Sequence, residues 1–375
     1  MAFASSRRRV LRAAAAAAIA PSLLARAAST AAKSITVAQI VDVSTAQQDV
    51  SKDMLIGSRA AWQDINAKGG IHGWQIKHTT FDVDGTAASL QAAVRSAVQD
   101  PVCVAISATA GERAALEVVN QLRGLNAPIA HVAPWLQNSN VDIDERTFPI
   151  FAARQEQLSH SLRVLTEQGV QEVGLIFATD TEYKLYRDEF DRIGQNLKFK
   201  MRNFPPLGEV AQIGRKLTPD TPAILVFVGG TPEIISFMQG MEAQQRQRYL
   251  VALADVNLQT LNQLGGNRKT PVIGTQVVPV LSSPVNVVRQ YRAVLGKFFD
   301  EPPTPLSLAG FIAARYTADV LEGINGVPTR PNVLAAFQRR ELMDVGGFRV
   351  SYSPQRRSAG FVAQSMLTAD GRMIS

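Results

Sequence analysis

Ser107 and Thr109 are the side chains of this sequence best placed, by type and spacing, to hold a small molecule. They follow the apolar run Val102-Cys103-Val104-Ala105-Ile106 and precede a helical stretch that starts near Glu112. Two hydroxyls, together with the unpaired backbone N–H groups of a helix start, suit a carboxylate or another strong acceptor. The same hydroxyls would serve equally well as plain N-caps of that helix. Groups for covalent chemistry are poorly arranged. His72, His78, His131 and His160 show no HExxH or other close metal-ligand spacing, and no GxSxG, Walker A or GxGxxG stretch occurs. The one cysteine, Cys103, lies inside an apolar run and reads as a buried strand thiol rather than a nucleophile. Asp142 and Asp144 fall in a polar loop and read as solvated. Nothing in the sequence demands catalysis, a metal or a cofactor.

Around these residues the pattern alternates between short apolar runs and helical stretches. Runs at 35–41, 74–81, 102–106 and 128–132 read as strands, with helices at 53–67, 86–99 and 112–123 between them. The alternation restarts: helices at 155–168, 181–193 and 232–243, strands at 172–178, 223–228, 249–253 and 271–277. Thr231 is expected as the N-cap of the helix at 232–243, with Pro232 at its first position. Helices at 285–299, 306–323 and 331–340 and strands at 347–352 and 360–368 close the chain. Repeated strand–helix units mean parallel strands with right-handed crossovers and helices on both faces. Two such α/β series, joined without a flexible linker, predict two like lobes whose strand ends face a shared cleft.

Several stretches carry a resemblance. Ile65-Asn66-Ala67-Lys68-Gly69-Gly70-Ile71-His72-Gly73, Asp82-Val83-Asp84, Ser107-Ala108-Thr109, Asp180-Thr181-Glu182-Tyr183 and Phe348 to Val362 stand in an order and spacing that resembles the type I periplasmic binding proteins, the branched-chain amino-acid group. The resemblance implies two Rossmann-like lobes with parallel sheets and three crossings between them, near Ala152–Arg154, Val277–Val280 and Asp344–Gly347. Lobe one would be residues 30–152 and 280–345, and lobe two 155–277 and 346–375. It implies a ligand loop at Ser107, Ala108 and Thr109, and contacts from Ser44 and Gln48 in the first loop. Tyr183 would cover the ligand or belong to the core. Thr231 has a possible ligand role. Asp255 would hold a ligand ammonium or cap the helix ahead of Asn257 to Leu264. Trp135 and Leu136 stand where the family has small residues and a hydroxyl, so Trp135 either walls the pocket or packs under a loop. A small carboxylate-bearing compound with an apolar or aromatic body is the expected ligand, with branched-chain amino acids as the alternative.

The leader and the charge fit that implication. Arg7-Arg8-Arg9, the apolar run Ala13 to Leu24 and Ala25-Arg26-Ala27 have the layout of an export signal over residues 1–27, with the adjacent arginines of the twin-arginine type. No cysteine follows the run to carry a lipid anchor. The formal charge of +7 includes five leader arginines, so 7 − 5 leaves a body near +2 with both signs interspersed. That excludes a dedicated nucleic-acid surface. The expectation is a soluble, monomeric, periplasmic receptor that serves the permease subunits of an ABC transporter. A ligand sensor of the same fold feeding a signalling partner, and a two-lobed α/β enzyme, are the competing readings. Turnover of a bound compound would mark the enzyme, and neighbouring permease or regulator genes would separate the other two.

Overall fold

The computed structural model describes residues 33–264, 269–353, 357 and 360–374. The expected export signal lies outside the described residues. The first lobe opens with β1 (Ser34–Asp42), α1 (Gln48–Ala67), β2 (Gln75–Val83), α2 (Ala87–Gln99), β3 (Cys103–Ser107), α3 (Glu112–Leu125), β4 (Ala130–Val132) and β5 (Thr147–Phe148). The five strands form one parallel sheet in the order β2-β1-β3-β4-β5. Every residue of β3 is buried, as an inner parallel strand covered on both faces must be. Cys103 is among them, a free, buried thiol.

The second lobe contains α4 (Arg154–Glu167), β6 (Glu172–Phe177), α5 (Asp180–Asn196), β7 (Lys200–Phe204), α6 (Val210–Arg215), β8 (Ile224–Val228), α7 (Thr231–Gly240), β9 (Tyr249–Ala252), α8 (Leu258–Leu264) and β10 (Val272–Gln276). Its sheet runs β14-β13-β10-β9-β8-β6-β7. The strands from β6 to β10 are parallel, and β13 (Ala363–Leu367) and β14 (Met373–Ile374) add an antiparallel edge.

Between β10 and β13 the chain returns to the first lobe. α9 (Asn286–Phe298), α10 (Pro305–Glu322) and α11 (Arg330–Gln338) pack there, and α10 lies along α1. Gly57 and Gly310 let these two helices touch backbone to backbone. A Cβ on Gly310 would stand 2.0 Å from the carbonyl oxygen of Met54, and Ser58 Oγ donates to the Met54 and Gly310 carbonyls.

The third passage between lobes comes later than the expected Asp344–Gly347. β11 (Met343–Val345) and β12 (Phe348–Val350) form an antiparallel hairpin. Val345, Phe348 and Val350 are buried in the first lobe's core, and Phe348 packs on Phe151. The chain joins the second sheet only at β13, because this apolar hairpin is held by the first lobe. The strands β5, β7, β11 and β14 and the helix α6 are short elements that the apolar pattern did not announce. Thr231 is not an N-cap. Gly230 holds that position, with its N–H donating to Glu233, and Thr231 is already helical.

Candidate functional site

At the centre of the cleft stands Arg154, the first residue of α4. Its entry is fixed by Glu156, whose carboxylate accepts from the Ala153 N–H. The guanidinium is buried. Its Nε donates to Asp255 Oδ2 at 2.9 Å, and the other oxygen of Asp255 accepts from Trp135 Nε1 at 2.9 Å. Asp255, in the turn after β9, therefore joins a first-lobe indole and the start of α4. Glu112 and Glu182 approach the same guanidinium at 3.5 and 3.7 Å. Each sits in the first turn of a helix, α3 and α5, where a carboxylate complements the helix dipole. Glu182 also closes a capping box with Thr179. Tyr186 donates to Glu112 at 2.9 Å and places its ring against the guanidinium, 5.1 Å from the centroid.

Three carboxylates thus share one guanidinium in a buried place. Burial pushes Glu182 up to about 7 against the opposing pull of Arg154 and Thr179. Burial also raises Glu112, again opposed by Arg154. Burial works against the charge on Arg154, but Asp255 and Glu112 overcome it and hold the guanidinium well above its ordinary range. One guanidinium does not balance three ionised carboxylates, and burial offsets the excess by pushing Glu182 and Glu112 toward their protonated forms.

Further bonds close the cleft. Asn257 Nδ2, in the second lobe, donates to Asp53 Oδ2 of α1 at 3.0 Å, and Thr304 Oγ1 donates to the same oxygen at 2.6 Å. Burial pushes Asp53 up to about 6, with the Thr304 bond opposing. Gln157 links Gln137 of the first lobe to Ala254 and Thr275 of the second.

Of the residues expected to hold a ligand, Trp135 and Asp255 come together, but on each other. Each oxygen of Asp255 already accepts a hydrogen bond, and the cap of α8 is Asn257, which accepts from Gln259 and Thr260. Ser107 Oγ shares a 2.7 Å hydrogen bond with Thr317 of α10 inside the first lobe. Thr109 Oγ1 bonds His131 at 2.9 Å, and burial drives that histidine down to about 3. Neither hydroxyl faces the cleft or caps α3, whose N-cap is Gly111. Ala108, at φ 56, donates its N–H to Val132 and accepts from Gln39. Leu136 packs with Ala115 and Ile143.

Tyr183 is half-buried against Phe177, with Arg187 over its ring. Thr231 Oγ1 accepts from the Asn257 N–H. Ser44 is half-buried and donates its N–H to Asp42, and Gln48 is an exposed first residue of α1. Arg154, Glu112, Glu182 and Tyr186 were not anticipated. The one signal for Arg154 is a lone cation directly after the apolar Ile150-Phe151-Ala152-Ala153.

Beside the cluster lies a cavity of ≈ 440 Å³, walled by Trp135, by the second lobe and by the chain between β10 and α9. Among the described residues no group of three His, Cys, Asp or Glu side chains could hold a metal ion, and no helix is long and apolar enough to cross a membrane.

The family model described as Periplasmic binding protein matches residues 34–369. The chain belongs to that family. The periplasmic binding proteins include type I members with this two-lobed, mostly parallel architecture, and the protein is a binding protein rather than an enzyme. Among solved structures it is similar to an extracellular ligand-binding receptor from Verminephrobacter eiseniae, with 16% identity, TM-score 0.79 and coverage of 91% of this chain and 100% of that one. It is similar to a substrate-binding periplasmic protein from Ralstonia solanacearum, with 21% identity, TM-score 0.78 and coverage of 91% and 99%. It is also similar to the branched-chain amino acid transporter substrate binding protein LivJ from Streptococcus pneumoniae in complex with isoleucine, with 14% identity, TM-score 0.75 and coverage of 92% and 98%. No curated protein matches.

Proposed function

We propose that this periplasmic binding protein is the solute receptor of an ABC importer. It is exported through a twin-arginine leader over residues 1–27 and released in the periplasm as a soluble monomer. It captures a small molecule between its lobes and offers the closed form to permease subunits in the inner membrane. The observation that carries this reading is the set of bonds that meet across the cleft from opposite lobes: Trp135 to Asp255, Asn257 to Asp53 and Tyr186 to Glu112. Bonds of this kind form only when the lobes are shut, so a ligand that favours the shut form shifts the population toward it.

The ligand is a small molecule with an apolar body. An amino acid is disfavoured because Asp255 is already paired with Arg154 and Trp135, and an ammonium would have to share it with them or displace one. The carboxylate anticipated above loses its two hydroxyl partners to Thr317 and His131.

Small-angle X-ray scattering of the mature protein, titrated with a panel of solutes, tests the reading. At least one solute is expected to lower the radius of gyration. A solute that binds tightly and leaves the curve unchanged would contradict closure.

A further inference from the structure

The cavity beside Trp135 has the size of a small-molecule site, ≈ 440 Å³. Its walls come from both lobes: Leu306 and Trp135 from the first, Val256 and Leu258 from the second, and Leu281 from the passage between them. Lobe closure would therefore complete it. No charged side chain among the described residues lines it. Trp135 divides it from the charged cluster, with Nε1 turned to Asp255.

One wall residue is unfinished. Gln276, at the end of β10, is 6% exposed. Its Nε2 donates to Ser365 Oγ at 2.6 Å, but its Oε1 is buried and has no donor among the described residues. A buried acceptor without a donor costs free energy, and a ligand that brings the donor as the Gln276 amide turns into the cavity recovers it.

Resting on the receptor reading above, we propose that this cavity, and not the Asp255 position, receives the solute, and that the solute is an uncharged compound. It has an apolar body and one neutral hydrogen-bond donor, such as a hydroxyl or a primary amide. A carboxylate ion finds no cation in these walls to offset its desolvation, and it presents lone pairs to the lone pairs of Gln276 Oε1. An amino-acid zwitterion brings the same uncompensated carboxylate, and an ammonium whose charge meets no carboxylate in these walls.

Calorimetric titration with cinnamyl alcohol, cinnamamide, methyl cinnamate, the cinnamate ion and phenylalanine separates these chemistries on one hydrocarbon frame. The alcohol and the amide are expected to bind at least about tenfold more tightly than the methyl ester, which lacks a donor, and than the ion. Gln276→Leu should abolish the preference for the alcohol over the ester. Leu281→Trp, which fills the cavity from the half-buried passage, should weaken all binding while the melting temperature shows that the variant is folded.

The assignment is overturned if the ion binds as tightly as the alcohol, if Leu281→Trp leaves affinity unchanged, or if none of the five compounds binds. Tight phenylalanine binding accompanied by contraction in scattering would overturn it while leaving the receptor reading intact. Binding of the alcohol in this cavity without contraction would do the reverse.

Discussion

Arg154 and Asp255 are each other's main compensation for burial, at 4% and 3% exposure. Removing one member of a buried ion pair leaves the other charge without a partner, which costs about 3–5 kcal/mol. Arg154→Met should therefore destabilise the protein by about that amount in urea denaturation. Adding Asp255→Leu to it should recover a large part of the loss. A single-variant loss under about 1 kcal/mol would mean the pair behaves as a surface pair.

Trp135→Phe removes the N–H given to Asp255 and also shrinks a fully buried ring, so the cost of a small cavity adds to that of the lost bond. A hydrogen bond to a charged group is worth about 1.5–3 kcal/mol, so this variant should lose at least that much stability, measured in the same way. These residues also show where the sequence stopped being legible. Trp135 and Asp255 were visible as an odd aromatic and an acid after a strand. Their bond was not, because 120 positions separate them and only the closed lobes bring them together. Ser107 and Thr109 were visible as hydroxyls after a buried strand. The partners that turn them inward, Thr317 and His131, belong to a helix and a strand whose facing sides no local pattern specifies.

At the scale of elements, the long parallel strands and their helices were legible because each is a continuous apolar run or an amphipathic stretch bounded by turn residues. The two-residue β5 and β14 escaped because a strand of that length has no period. The strand β12 was read with the second lobe because its buried face says that it is covered, not by what. The contact of α1 with α10 is the element-scale feature most sensitive to a single methyl group. A Cβ at position 310 meets the Met54 carbonyl at 2.0 Å, and neither backbone has room to give. Gly310→Ala should cost about 1–3 kcal/mol by overpacking, seen as a lowered denaturation midpoint with an unchanged slope. A neutral result would mean that the two helices slide apart freely.

For the whole molecule, pH acts on the closed cleft through buried carboxyls. Asp53 titrates at about 6 folded against 3.8 in the open chain, and Glu182 at about 7 against 4.5, burial being the main cause in both. The folded protein thus holds these protons more tightly than the unfolded chain does. The stability they contribute is complete below the open-chain values and is lost as pH rises through about 6 for Asp53 and about 7 for Glu182. Melting temperature should fall across that window, and Glu182→Gln, which cannot ionise, should flatten its upper part.

The central claim is that Arg154 and Trp135 occupy the acid that an amino acid would need, so that the receptor serves a different solute. Titration calorimetry of the mature protein with leucine tests it most directly. The account predicts no saturable heat of binding. Saturable leucine binding that Asp255→Asn abolishes would contradict it.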